Sequence, residues 1–195
     1  MHLVLASSSP SRKSILESAG VSPVIHPADV DEDRIIASLT GAEPATVVEK
    51  LAQAKAEAVA HHYPADVVIG GDSMLLLDGE LQGKPHTVAA TIERWRAQRG
   101  KTAELITGHH LISPAGTYTG TSRTRVHFAQ ASDADIAAYA QSGEPLQCAG
   151  AFTLEAMGGW FIDRIEGDPS SVIGLSLPLV RKALYSFGIN VSEFW

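Results

Sequence analysis

Four separated groups of residues in this chain have the types and spacing to handle an anion. The first lies in the opening stretch LVLASSSPSRKSILESAG, residues 3–20. Ser7, Ser8 and Ser9 stand between a short apolar run and the start of a helix, and Arg12 and Lys13 fall in the first turn of that helix. A helix start already presents unpaired N–H groups and a partial positive charge. Cations there are mildly unfavourable unless something negative sits among them. Hydroxyls, backbone N–H groups and a guanidinium can together surround a phosphate. The alternative is a serine-rich cap with two solvated cations. The loop lacks the G-x-x-x-x-G-K-[ST] spacing of a P-loop.

The second group is Lys55. On a helical wheel Val48, Leu51, Ala52 and Val59 form one apolar stripe, with Lys55 in its middle. Its ammonium either snorkels to solvent along its stem or points into a recess that holds an anion. The third is Asp72, which follows an apolar run and two glycines. It is read as a carboxylate at a strand end, where ligands bind in open α/β sheets. Such a carboxylate can bind a metal or take a proton from water. The fourth is Lys84 in Gly83-Lys84-Pro85, one more cation in a constrained loop. The acidic run Asp29-Val30-Asp31-Glu32-Asp33 could add metal-binding oxygens or be a wet surface. These parts together suit a polyphosphate and a divalent ion, because phosphorus–oxygen cleavage needs neutralised charge and a positioned water. The expectation is an electropositive crevice holding one ionised aspartate.

The elements that must position these groups are legible in outline. Leu3–Ala6 reads as a buried strand. Ser9 is an N-cap and Pro10 the first helical residue, and the helix closes at Gly20. Residues 22–44 read as irregular. A second helix is predicted from about Pro44 to His61, followed by a strand over 67–69 that ends at Gly70-Gly71-Asp72. Residues 74–77 and 80–82 flank Asp78-Gly79, a hairpin signal. A third helix is predicted over 88–98. Strands over 102–113 and 117–129 follow. A capping-box helix then runs from Ser132 towards Gly143. Trp160-Phe161-Ile162 reads as a strand and 177–187 as a last helix. The alternation gives a mixed α/β fold.

Composition narrows the class. The chain has 195 residues, 45% of them apolar and 19% charged, with a net charge of -7. That is enough for a globular core, and the acidic balance argues against nucleic-acid or anionic-membrane partners. One cysteine, Cys148, excludes an intrachain disulfide and a cysteine-based zinc site. No run of roughly 18 apolar residues is present and the start lacks a signal-peptide pattern, so a cytoplasmic location is expected. The eight histidines, including His61-His62 and His109-His110, show no ligand spacing and are assigned no role.

The ordered motifs resemble those of the Maf family, the septum-formation-inhibitor-like nucleoside triphosphate pyrophosphatases. LASSSPSRK at 5–13 is similar to the family's opening motif. LAQAKA at 51–56 is similar to its helical lysine motif, IGGDS at 69–73 to G-[AS]-D-[TQS], and LDGELQGKP at 77–85 to D-G-E-x-x-x-K-P. GEPLQCAGAF at 143–152, IEGD at 165–168 and VIGL at 172–175 match the C-terminal third. The resemblance implies one pyrophosphatase domain over 1–195. It also implies an elongated two-lobed mixed-sheet fold related to the inosine triphosphate pyrophosphatases, with a cleft between the lobes. The implied reaction is hydrolysis of a nucleoside triphosphate, ordinary or modified, to the monophosphate and pyrophosphate, with magnesium or manganese, commonly in a homodimer.

Carried over by position, Asp72 is the implied proton acceptor and metal ligand, with Glu32 as a second metal ligand. Lys55 and Lys84 would hold phosphate oxygens, and Ser7, Ser9 and Arg12 would line the triphosphate end. Ser11, Ser73 and Glu155 fall on positions tied to base specificity. Ser11 replaces a basic residue of many members. Ser73 with Glu155 matches neither the pyrimidine pattern (threonine, glutamine) nor the 7-methylguanosine pattern (glutamine, glutamate). A nucleotide-binding regulator of cell division with little or no hydrolysis is the competing class. Asp72 favours the enzyme, since binding alone does not need a carboxylate facing phosphates.

Overall fold

The computed structural model describes residues 1–195. Its strands are β1 (Leu3–Leu5), β2 (Val24–Ile25), β3 (Val67–Leu77), β4 (Glu80–Gln82), β5 (Thr102–Ser113), β6 (Gly116–Phe128) and β7 (Ile162–Glu166). Its helices are α1 (Pro10–Ser18), α2 (Glu32–Ser38), α3 (Pro44–Ala60), α4 (Val88–Gln98), α5 (Asp133–Gln141), α6 (Pro169–Ile173) and α7 (Leu177–Ser186). The strands form one seven-stranded mixed sheet in the order β2-β1-β3-β5-β6-β7, with β4 paired to β3. β1 runs parallel to β2 and β3, whereas β4 and β7 run antiparallel to β3 and β6.

The expected mixed α/β class holds, and most caps act where predicted. Ser9 accepts from Arg12 N, Thr87 from Ala90 N and Ser132 from Asp135 N, each satisfying an orphan donor of a first helical turn. Asp78 (φ 51) and Gly79 (φ 85) both take the left-handed conformation that a two-residue β3–β4 hairpin requires.

Three expectations are corrected. The segment over 22–44 contains β2 and α2. Asp31 caps α2 by accepting from Arg34 N, and Glu32 and Asp33 occupy its first turn, where the helix dipole favours carboxylates. No residue of α2 is buried, so it has no apolar stripe to betray it. Second, β3 does not stop at Asp72 but continues unbroken to Leu77, so Asp72 lies mid-strand. Third, Trp160 and Phe161 belong to a 3-10 turn, and β7 starts at Ile162. Two glycines at 158 and 159 supply a tight turn there in place of extended chain.

The chain divides into two compact units. The first comprises residues 1–72, 107–122 and 174–195, and the second residues 73–106 and 123–173. In the first, Val4 and Val68 of β1 and β3 pack with Ala56 and Val59 of α3. In the second, Trp95 of α4 is fully buried among Phe128, Tyr139 and Phe161, all met edge-on at 5.5–5.7 Å. Its indole N–H donates to Ala151 O at 2.7 Å. Such aromatic pairs add about 0.5–1.5 kcal/mol each beyond their buried area.

Candidate active site

The first unit brings together six of the predicted residues: Ser7, Ser9, Arg12, Glu32, Lys55 and Asp72. β1 and β3 pair in parallel with Leu5 opposite Ile69, and Ala6 N donates to Ile69 O at 2.8 Å. The serine loop and the Gly70–Asp72 stretch therefore leave that pairing side by side. Ser9 is spent as the cap of α1. Ser7 Oγ accepts from Ser9 N at 3.2 Å and from Arg12 Nη1 at 3.1 Å. With two bonds accepted, the Ser7 hydroxyl keeps its proton to donate.

Arg12 is only 9% exposed. Its Nε donates to Gly174 O at 2.8 Å. One glycine makes room for the Arg12 side chain: a Cβ at Gly174 (φ +133) would come within 3.3 Å of Arg12 Cγ. Burial lowers the Arg12 pKa below its ordinary value, and Asp72 and then Glu32 oppose that shift. The guanidinium stays charged at any physiological pH. Arg12 therefore does not turn outward from the α1 start, although Lys13 does, pairing with Glu17 at 3.4 Å.

Lys55 is 8% exposed and Asp72 7%. Lys55 Nζ donates to Asp72 Oδ1 at 2.6 Å and lies 3.0 Å from Glu32 Oε1. The snorkelling reading of Lys55 is thereby excluded. Close approach of α3 makes this contact possible. A Cβ at Gly70 would sit 2.1 Å from Ala52 O and 2.8 Å from Ala56 N, and one at Gly108 would sit 2.4 Å from Val48 O. Both glycines let the α3 backbone lie directly on the sheet. Glu32 arrives from the first turn of α2, which packs on α3.

The expected electropositive character is not found within this unit. Arg12 and Lys55 carry two positive charges, and Glu32 and Asp72 two negative ones. The formal charges balance: both carboxylates pair with Lys55, and Arg12 feels the charge of Asp72 and Glu32. Lys55 donates one hydrogen bond to Asp72 and forms an ion pair with Glu32, so one ammonium serves both carboxylates. A triphosphate entering here would meet little net positive charge.

No group of three or more His, Cys, Asp or Glu residues is arranged to hold a metal. Glu32 and Asp72 do turn one oxygen each towards the same ammonium. Magnesium is usually held by one or two carboxylates plus substrate phosphates and waters, not by an all-protein cage. The two carboxylates Glu32 and Asp72 fit that pattern.

The remaining predicted residues divide as follows. Ser11 is half-buried in the first turn of α1. Ser73 follows Asp72 on β3, half-buried, in the second unit. Lys84 and Glu155 are exposed residues of the second unit. Gly83 O, next to Lys84, accepts from Arg94 Nη1 and from Gly150 N. Burial pushes the Cys148 thiol up to about 11, with Glu155 and Glu144 raising it further and Lys84 opposing them. The histidines without an assigned role are structural where buried: His109 Nε2 accepts from Ser176 N at 2.8 Å, and His110 Nδ1 meets Thr119 Oγ1 at 2.7 Å.

Gly174 and Glu144 are two residues whose importance was not read from the sequence. Gly174 carries no local signal of what its carbonyl and missing side chain do for Arg12, 162 positions away. Glu144 stands inside a quoted motif, but a lone carboxylate in a loop is ordinarily solvated.

Known proteins give the cluster a lineage. The family model described as "Maf-like protein" matches residues 2–187. A nucleoside triphosphate pyrophosphatase of Corynebacterium diphtheriae is 73% identical over 195 residues, covering all of this chain and 98% of the relative. One from Corynebacterium glutamicum (strain R) is 67% identical over the same length, covering 99% of the relative. One from Nocardia farcinica is 54% identical over 203 residues, covering 99% of this chain and 96% of the relative. Among solved structures, the Staphylococcus aureus Ham1 protein aligns with a TM-score of 0.41 at 20% identity, over 67% of this chain and 73% of that one. With the family model running nearly end to end and relatives matched along their whole length, the chain belongs to the Maf-like protein family.

Proposed function

We propose that this chain hydrolyses nucleoside triphosphates between the α and β phosphates, releasing a nucleoside monophosphate and pyrophosphate. Its full-length relatives are named nucleoside triphosphate pyrophosphatases. The observation that carries the reading is the buried Asp72–Lys55 pair at 2.6 Å, joined by the half-exposed Glu32 at 3.0 Å, beside the Ser7–Arg12 loop. A buried carboxylate held this close to a lysine, near the serine loop and Arg12, suits proton transfer next to an anion better than it suits a solvated surface.

The residues take the following parts. Water attacks the α phosphorus, the α–β anhydride bond breaks, and pyrophosphate leaves with the bonding electrons. Asp72 accepts the proton that the water gives up. Lys55 Nζ fixes the Asp72 side chain and offers a further N–H to a phosphate oxygen. Ser7 donates its hydroxyl proton to the triphosphate end, where Arg12 and the Ser9-capped start of α1 add positive potential. Lys84 is assigned to phosphate, and Ser11, Ser73 and Glu155 to the choice of base. Glu32 and Asp72 would hold a magnesium or manganese ion. When bound, that ion supplies the neutralising charge that the balanced cluster lacks and makes water more acidic. The reading is completed by one functional domain over 1–195, working as a cytoplasmic homodimer. No helix is long and apolar enough to cross a membrane.

The test is a panel of nucleoside triphosphates with magnesium or manganese, assayed separately for pyrophosphate and orthophosphate. Pyrophosphate is the expected product. Asp72→Asn should lower kcat by about 10²–10⁴-fold, the usual worth of a general base, while nucleotide binding stays within a few-fold. Wild-type turnover by that variant would remove the assignment. Binding without any hydrolysis by the wild-type protein would favour the regulator reading.

A further inference from the structure

We infer that Glu144 is a positioning residue that shapes the loop bearing Glu155 and so sets the enzyme's discrimination among bases. The inference rests on the pyrophosphatase reading and on the assignment of Glu155 to base choice. The geometry lies entirely in the second unit.

Glu144 follows Gly143 (φ 82) at the end of α5 and opens a short 3-10 turn. Its carboxylate reaches across to the loop over residues 153–158 and takes hold of both ends. At the near end Glu144 Oε1 accepts from the Thr153 hydroxyl in a short hydrogen bond. At the far end it accepts from Gly158 N at 3.1 Å, and Oε2 accepts from Met157 N at 3.3 Å. Tyr139 donates its hydroxyl to the same Oε1 at 3.2 Å and accepts from Thr153 N at 3.1 Å. One carboxylate thus closes a six-residue arc at both feet, with Glu155 near the apex.

The arc is tight enough that its feet nearly touch. A Cβ at Gly158 would lie 2.4 Å from Thr153 O and 2.5 Å from Tyr139 Oη, and one at Gly159 would lie 2.7 Å from Leu154 O. Gly158 N also donates to Thr153 Oγ1 at 3.1 Å. At the apex Leu154 N donates to Glu155 Oε2 at 3.1 Å, so the Glu155 side chain follows the backbone of the arc. Burial alone would raise the Glu144 pKa, but the hydrogen bonds from Thr153, Gly158, Met157 and Tyr139 outweigh it and hold the group below its ordinary value. The carboxylate is therefore ionised when the loop is closed, and it offers four acceptor positions where an amide offers two. Glu144→Gln puts an NH₂ donor among groups that are themselves donors. The arc should loosen, while Thr153 N–Tyr139 Oη and the aromatic core around Trp95 remain to keep the unit folded.

A residue that merely stabilised the fold would lower activity on all nucleotides alike. One that aims Glu155 would alter the ratio between them. The experiment measures pyrophosphate release by wild type, Glu144→Gln, Glu144→Asp, Thr153→Val and Glu155→Ala on the same triphosphate panel, with melting curves for each. For Glu144→Gln the kcat/KM ratio of the best to a poor substrate should shrink about tenfold, the worth of one lost charge-assisted hydrogen bond. The change should appear mainly in KM. Thr153→Val should compress the ratio in the same direction, and Glu144→Asp should recover part of it.

An unchanged ratio in both Glu144→Gln and Thr153→Val, with Glu155→Ala still altering it, overturns the inference and leaves the pyrophosphatase reading intact. A uniform loss on all nucleotides, tracking a lower Tm, overturns it in the same way. If Glu155→Ala leaves the ratio unchanged, the base assignment falls and the inference falls with it. Absence of pyrophosphate release by the wild-type protein removes the function itself.

Discussion

Gly70→Ala tests whether the approach of α3 to β3 builds the Asp72–Lys55 cluster proposed to act in catalysis. The added Cβ would lie 2.1 Å from Ala52 O and 2.8 Å from Ala56 N. Both atoms are helix backbone, so no flexible side chain can swing aside. Ordinary contact is about 3.5 Å, so α3 must back away from the sheet by roughly 1 Å. Overpacking of a buried site costs about 1–3 kcal/mol, and a backbone clash of this depth belongs at the upper end. For a chain of this size each kcal/mol lowers Tm by about 2–4 °C, giving a loss of roughly 6–12 °C. Lys55 rides on α3 one turn from Ala52 and holds Asp72 at 2.6 Å. A shift of about 1 Å at catalytic groups costs on the order of 10² in rate, so kcat should fall by that factor in the protein that remains folded. Calorimetry and pyrophosphate release at a temperature well below both Tm values would separate the two effects. A Tm within about 2 °C of wild type, with kcat within about threefold, would refute the idea that Gly70 sets the helix–sheet distance.

Other outcomes follow from the same geometry. Lys55→Ala leaves Asp72 and the half-exposed Glu32 facing each other without their shared cation. Removing one partner of a buried pair costs about 3–5 kcal/mol, discounted here by solvent reaching Glu32, so a lower Tm and lost turnover are both expected. Unchanged melting and kinetics would show that the pair carries no weight. Lys84→Ala should leave Tm unchanged, because the residue is exposed, but raise KM for the triphosphate severalfold if it meets phosphate. Cys148 is held protonated up to about pH 11, above its ordinary value near 9.0, mainly by burial. The folded state therefore binds the proton more tightly than the unfolded chain. The resulting stability is complete below about pH 9 and is lost as pH rises towards 11. Wild type should lose more stability than Cys148→Ser across that window in urea titrations. Equal losses would contradict the burial of the thiol.

The two kinds of information separate cleanly along the chain. Sequence alone determined the features whose causes are local. Ser9 and Pro10 start α1, Ser132 caps α5, and Asp78-Gly79 turns the hairpin, because capping and left-handed turns depend on neighbouring residues. It also singled out Lys55, since a lysine in the middle of an apolar stripe stands out by periodicity. The helix α2 was not legible, because none of its residues is buried and its Asp31 cap looked like part of a solvated acidic run. Nor was the continuation of β3 through two glycines, which read locally as a break.

Only the tertiary structure decided what those glycines are for. Gly70 and Gly108 admit the α3 backbone, and Gly174 admits the Arg12 side chain. It also decided that Arg12 and Lys55 are matched by Glu32 and Asp72, so that the cluster is neutral. It joined Glu144 to Thr153, Met157 and Gly158 as one closed arc. The reason is the same in each case. A missing Cβ or a lone carboxylate acquires its meaning from atoms brought near by the fold, and residue types along the chain do not encode those distances until helix and sheet have packed.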